Sequence, residues 1–176
     1  MSKSTFRFEL TGMKEMMNLL EQLPTVGLQK SVLRNALLKS GEPMKNLMWS
    51  SAPHSGKVKR RHLRETIEVS TRLKPSQKKG KLTDRTKVEV YVGSTSPLAH
   101  LVEFGTVERR QTATGRETGH MPANPWARAA WDATKHQALE IFQKEVWAEL
   151  LKTVRKLRKK AEKGTLGKAQ LRGLLK

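Results

Sequence analysis

At 176 residues the chain has the length of one domain with room for a tail. It has no cysteine, which excludes a disulfide framework and thiolate metal sites. No apolar run approaches a signal-peptide h-region or the ~18 residues of a membrane span, so a soluble chain with no membrane contact is expected.

The formal charge of +19 is concentrated rather than spread. Residues 57–87 hold twelve Lys or Arg against three Asp or Glu, and residues 151–176 hold ten against one; the remainder is nearly neutral, with thirteen against twelve. The neutral part is the expected folded body.

Residues 5–10 (TFRFEL) alternate as a short strand, broken by Thr11-Gly12. Met13, Met16, Met17, Leu19, Leu20 and Leu23 then recur at helical spacing until Pro24. A second helical pattern runs from Val26 to Met48 and is interrupted by Gly41 and Pro43, where a kink or a two-helix break is expected. Trp49 is expected to close this helix onto the body. Residues 64–73 and 87–92 alternate as two strands of an antiparallel hairpin, joined by a basic loop at about 74–86 that exceeds the usual hairpin connection and is expected to project.

The second strand is expected to end at Gly93-Ser94. Pro97 suits the first turn of a short helix, Leu98, Leu101 and Val102 share one face, and Gly105 suits an exit with positive φ. The result is a strand–turn–helix–turn corner carrying Glu103. A polar arm at about 107–124 follows. A long amphipathic helix then starts with Pro125 at or near its first position and gives way to a solvated basic run by Lys156, with breaks at Gly164 and Gly167. The fold class is α+β: N-terminal helices and a long C-terminal helix on a small, mainly antiparallel sheet, with projecting basic loops. Residues 1–150 form one domain, and 151–176 form a basic helical extension.

The chain carries no catalytic signature. Aspartate occurs only at Asp84 and Asp132, and there is no phosphate-binding glycine loop, GxSxG elbow or HExxH pair. His100 and Glu103 stand one turn apart, but a single histidine beside an apolar helix face favours packing or one hydrogen bond over a metal. No metal, cofactor or catalytic residue is expected. Two readings of Glu103 stay open: a carboxylate that accepts backbone N–H groups or meets an arginine across a subunit boundary, and an ordinary solvated carboxylate. Trp126, Trp131 and Trp147 follow helical spacing and are expected in the core.

Lys57, Lys59, Arg60, Arg61, Lys74, Lys78, Lys79, Lys81, Arg85, Arg155, Lys156, Arg158, Lys159 and Lys160 are candidates for DNA phosphates or an acidic partner. No aromatic residues interleave with the basic segment at 57–87, and no helix-turn-helix or zinc-finger spacing occurs. Any nucleic-acid contact should therefore be to the backbone.

The order of these segments resembles the tail-completion (neck, head–tail joining) family of long-tailed bacteriophages over residues 6 to about 142. The resemblance rests on the LTGMKEMMNLL start, the Pro53 to Gly56 loop with Leu63-Arg64 and Thr66-Ile67 beyond it, the PLAHLVEFGT corner and MPANPWARAAWD. Four features depart from the family pattern: Ser55 replaces a threonine, extra basic residues precede Leu63, Trp126 replaces a phenylalanine, and Ala129 stands where proline is common.

The resemblance implies a structural virion protein made in the host cytoplasm. It would form a ring, six-fold with twelve-fold as the alternative, at the neck or top of the tail, joining the DNA-filled head to the tail around a DNA channel. Its partners would be other copies of itself, neighbouring neck proteins, and the tail tube or its terminator. His100, Glu103, Phe104, Gly105, Thr106, Met121, Pro122, Pro125 and Trp126 would be subunit or partner contacts, so Glu103→Ala or Gly105→Val would disturb ring assembly or docking and spare the folded monomer. A free, non-sequence-specific nucleic-acid-binding protein is the alternative.

Overall fold

A computed structural model describes residues 13–54, 62–72, 87–165 and 167. The strand expected at residues 5–10 and the basic loop at 74–86 lie outside the described residues.

The N-terminal half supplies three helices: α1 (Met13–Glu21), α2 (Val26–Ser40) and α3 (Glu42–Ser51). Thr25 starts α2 in extended conformation and accepts the Leu28 N–H on its hydroxyl at 3.4 Å. Gly41 serves as the last cap of α2 and the first of α3, and Pro43 falls in the first turn of α3, where it removes no helical bond. The expected interruption is therefore a two-helix joint. A Cβ at Gly41 would stand 2.9 Å from Val69 Cγ1 and from Val92 Cγ2, so the joint needs glycine for contact with the sheet.

A 3-10 turn (Leu63–Thr66) leads into β1 (Ile67–Ser70), which pairs antiparallel with β2 (Tyr91–Ser94) in the register Ile67↔Ser94 to Ser70↔Tyr91. The strands are shorter than the alternating patterns suggest, and β2 is displaced toward its C-terminal end. Gly93 and Ser94 belong to it because the Thr66 and Ser94 hydroxyls hydrogen-bond at 2.7 Å and the Thr95 N–H donates to Thr66 O at 2.9 Å. The short α4 (Ala99–Phe104) follows, then an arm of β3 (Thr106–Arg110) and β4 (Glu117–Met121), also antiparallel, and finally α5 (Trp126–Glu162).

The 37 residues of α5 make a spine about 55 Å long. It touches two apolar clusters in turn. Near its start, Trp126 and Ala130 pack with Met44, Met48, Ala52 and Ile67; farther along, Val146 and Leu150 pack with Met16, Leu23, Val32 and Ala36. The α2–α5 contact is also pinned by charge. Glu149, with its side chain 6% exposed, accepts from Asn35 Nδ2 at 3.1 Å, Lys152 Nζ at 3.3 Å and Lys39 Nζ at 3.4 Å; Lys39 also reaches Glu145 Oε2 at 2.5 Å. Burial opposes ionisation of Glu149, but the Asn35, Lys152 and Lys39 hydrogen bonds outweigh it and hold its carboxyl below the ordinary value.

The helix runs through residue 150 and past Lys156 without a break. Leu157 stays half-buried against the cluster that holds Met16, Leu23 and Leu150, Arg158 pairs with Glu162 one turn on at 3.2 Å, and lysines in the last turn suit the negative end of the helix. Gly164, with φ +63°, ends it.

The tryptophans divide. Trp126 is buried and Trp147 is partly buried against the core, but Trp131 is 54% exposed. Trp49 is also exposed, contrary to the expectation that it closes α3 onto the body: its ring holds the Arg64 guanidinium, 5.3 Å from the centroid, while Arg64 Nε donates to Ala52 O at 3.0 Å.

Candidate functional site

The corner at residues 97–106 and the segment at 121–126 meet in space. Pro125 cannot cap α5 with its side chain; the Trp126 N–H turns back to Asn124 O at 2.8 Å, which leaves the Ala127 and Arg128 N–H groups in need of an acceptor. Glu103 supplies one from α4. Its Oε2 accepts the Ala127 N–H at 2.9 Å and its Oε1 the Arg128 N–H at 3.0 Å. The carboxylate is buried at the positive end of the longest helix, where both the helix dipole and the charge-assisted bonds favour it.

The next residues complete the joint. Gly105 has φ +73°, and a Cβ there would lie 2.6 Å from Met121 O and 2.7 Å from Ala123 N. Only glycine combines that backbone with so close an approach. Thr106 pairs with Met121 and accepts the Met121 N–H on Oγ1 at 3.1 Å, and the Asn124 N–H donates to Val102 O at 3.0 Å. Each sequence motif is therefore half of one interlock between α4, the arm and α5.

The interlock holds several groups outward. Residues 107–117 of the arm are exposed, as is His120. Leu98, Phe104 and Val107 are 61%, 65% and 80% exposed, and the Arg128 guanidinium stacks 5.4 Å from the centroid of the Phe104 ring. An open apolar groove of about 600 Å³ lies between the α2–α3 joint, β2 and α5, lined by Leu37, Met44, Val92, Trp131, Leu139 and Phe142 among others.

The expected contact residues separate into two groups. Glu103, Gly105, Thr106, Met121 and Trp126 are structural parts of the interlock or the core beneath it. His100, Phe104, Pro122 and Pro125 are exposed around it. His100 and Glu103 do not act as a pair, because both Glu103 oxygens are engaged by α5. That engagement also corrects the expectation for Glu103→Ala, since the substitution removes a helix cap and so acts on the monomer, and the approach of a Gly105 Cβ to within 2.6 Å of Met121 O corrects it likewise for Gly105→Val. Of the two readings of Glu103, the acceptor of backbone N–H groups is the one observed; that these groups belong to the first turn of α5 escaped sequence reading, although a proline ahead of a long helix is a signal that the cap must come from elsewhere.

Among the basic candidates, Arg155, Lys156, Arg158, Lys159 and Lys160 are exposed on the last turns of α5. Lys57, Lys59, Arg60, Arg61, Lys74, Lys78, Lys79, Lys81 and Arg85 lie outside the described residues. Among the described residues no cluster of three or more His, Asp or Glu is placed to hold a metal ion, and no helix is long and apolar enough to cross a membrane.

One family profile, described as "Bacteriophage HK97-gp10, putative tail-component", matches residues 14–105, which is more than half of the chain and ends on Gly105 of the interlock. No curated protein and no solved structure matches the chain.

Proposed function

The chain belongs to the HK97-gp10-like family of bacteriophage tail components, structural proteins of the virion, and on that premise we propose that it is a non-enzymatic neck or tail-top subunit. It assembles as a ring, six-fold rather than twelve-fold, that joins the DNA-filled head to the tail and surrounds the DNA channel. The observation that carries this reading is the interlock: it holds an exposed apolar corner and a polar arm rigidly on the body, which is the form of a subunit contact. Its partners are further copies, adjacent neck proteins and the end of the tail tube.

The exposed cations of α5 from Arg155 to Lys160 favour a channel-facing role in which they touch DNA phosphates without reading sequence. They equally suit the alternative, a free nucleic-acid-binding protein. Immunogold labelling of purified virions separates the two. Label at the head–tail junction supports the ring subunit. Absence from virions, with salt-dependent binding of the free chain to duplex DNA, supports the alternative.

A further inference from the structure

We propose that the exposed corner of one copy seats in the α2–β2–α5 groove of the next copy, head to tail. This rests on the ring reading and deepens it by naming the two faces that meet.

The chain presents a projecting apolar feature and a concave apolar feature on different elements, and fills neither with the other. Leu98, Phe104 and Val107 lie within ten residues of each other and remain largely exposed. Three such side chains on one short corner are more than the scattered apolar residues of an ordinary surface. They are also held in place: Glu103 ties α4 to the first turn of α5, and Gly105 and Thr106 tie it to the strand leading into that turn. A corner fixed in this way loses little conformational freedom on docking.

The groove matches it in chemistry. Its walls are mainly aliphatic and aromatic, from Leu37, Met44, Val92, Leu139 and Phe142, with Trp131 at 54% exposure supplying a broad apolar face and Ser40, Lys135 and His136 the polar part of the lining. The pairing of an aromatic anchor with a water-excluding pocket is the arrangement in which a few residues dominate an interface. An apolar projection that fits a pocket elsewhere on the same molecule makes a heterologous contact, and heterologous contacts close into rings when the rotation allows. A second copy is therefore the occupant whose chemistry is already present in the chain.

The absence of cysteine makes a direct test available. The full-length double variant Val107→Cys/Leu139→Cys, treated with a short bis-maleimide, should give a covalent ladder running past the dimer and ending at the ring number. Each single variant should give no linked product. Phe104→Asp in the same background should abolish the ladder while leaving helix content and the unfolding midpoint unchanged, because Phe104 is 65% exposed and its ring stacks against the Arg128 guanidinium at the surface.

A ladder that stops at the dimer, linkage by Val107→Cys alone, a ladder that survives Phe104→Asp, or a chain that stays monomeric would each overturn the proposal. The outcome separates from that of the ring reading. If immunogold places the chain at the head–tail junction and rings form without this cross-link, the contact is wrong and the ring stands. If virions lack the chain, the ring reading fails on its own.

Discussion

Glu103→Ala should destabilise the isolated monomer, since the carboxylate is the cap of α5 rather than a free surface charge. Hydrogen bonds to charged groups contribute about 1.5–3 kcal/mol each, and the substitution removes two. Water can reach part of the vacated site beside the exposed Arg128, so about 3 kcal/mol is the expected loss for the pair. At about 2–4 °C per kcal/mol for a chain of this size, the thermal midpoint falls by about 6–12 °C. Circular dichroism at 222 nm at neutral pH measures it, and amide exchange at Ala127 and Arg128 should accelerate.

A second substitution sharpens the test. Pro125→Ser places a hydroxyl at the N-cap position, within reach of the N–H groups that Glu103 serves, and a serine cap contributes about 1 kcal/mol. Glu103→Ala/Pro125→Ser should therefore recover about 2–4 °C of the loss. A Glu103→Ala chain that melts at the wild-type temperature, with unchanged exchange at residues 127 and 128, would refute the capping role.

Gly105→Ala should cost at least about 3 kcal/mol in urea unfolding, combining a left-handed backbone with contacts of 2.6 and 2.7 Å to main-chain atoms; a loss under about 1 kcal/mol would contradict the interlock. Gly41→Ala should cost about 1–3 kcal/mol through crowding alone, since its φ of −79° suits any residue, and Gly41→Ala/Val69→Ala should be less crowded than the two single losses predict. An additive double variant would show that the two do not compete for space. Glu149 gives a pH dependence: its folded-state pKa lies below the ordinary 4.5, so its stabilisation is fully present above that value and is lost as pH falls through the folded-state value. Glu149→Gln should flatten this acid-side slope and weaken the chain at neutral pH by about 1–3 kcal/mol; an unchanged slope would assign the acid sensitivity to other carboxylates.

The helices were legible because their apolar spacing is regular: the Met13 to Leu23 pattern, the interruption at Gly41 and Pro43, and the start of α5 all correspond to observed elements. The hairpin was legible as a pair, but its register was not. Alternation at 87–92 reflects half-buried Val88, Val90 and Val92, whereas the ladder is fixed by Thr66, Ser94 and Thr95, whose hydroxyls and backbone carry no periodic signal. The helical extension expected from residue 151 is continuous with α5 as far as Glu162, but the face that supports it was hidden because a basic run reads as solvated: Leu157 packs on the core and Arg158 pairs with Glu162.

The corner was visible as a unit in the sequence, and its companion MPANPW segment was visible beside it. Their physical relation was not, because a carboxylate capping a helix that begins more than twenty residues later leaves no local pattern. Trp49 and Trp131 were misplaced for a related reason. Helical spacing assigns a residue to a face, but only the position of the neighbouring helices decides whether that face is covered.

Electron cryomicroscopy of purified virions tests the ring subunit most directly. Density for this chain as a closed ring at the head–tail junction, with α5 cations toward the axial DNA, is the predicted result. Virions whose neck and tail contain no copy of the chain would contradict it.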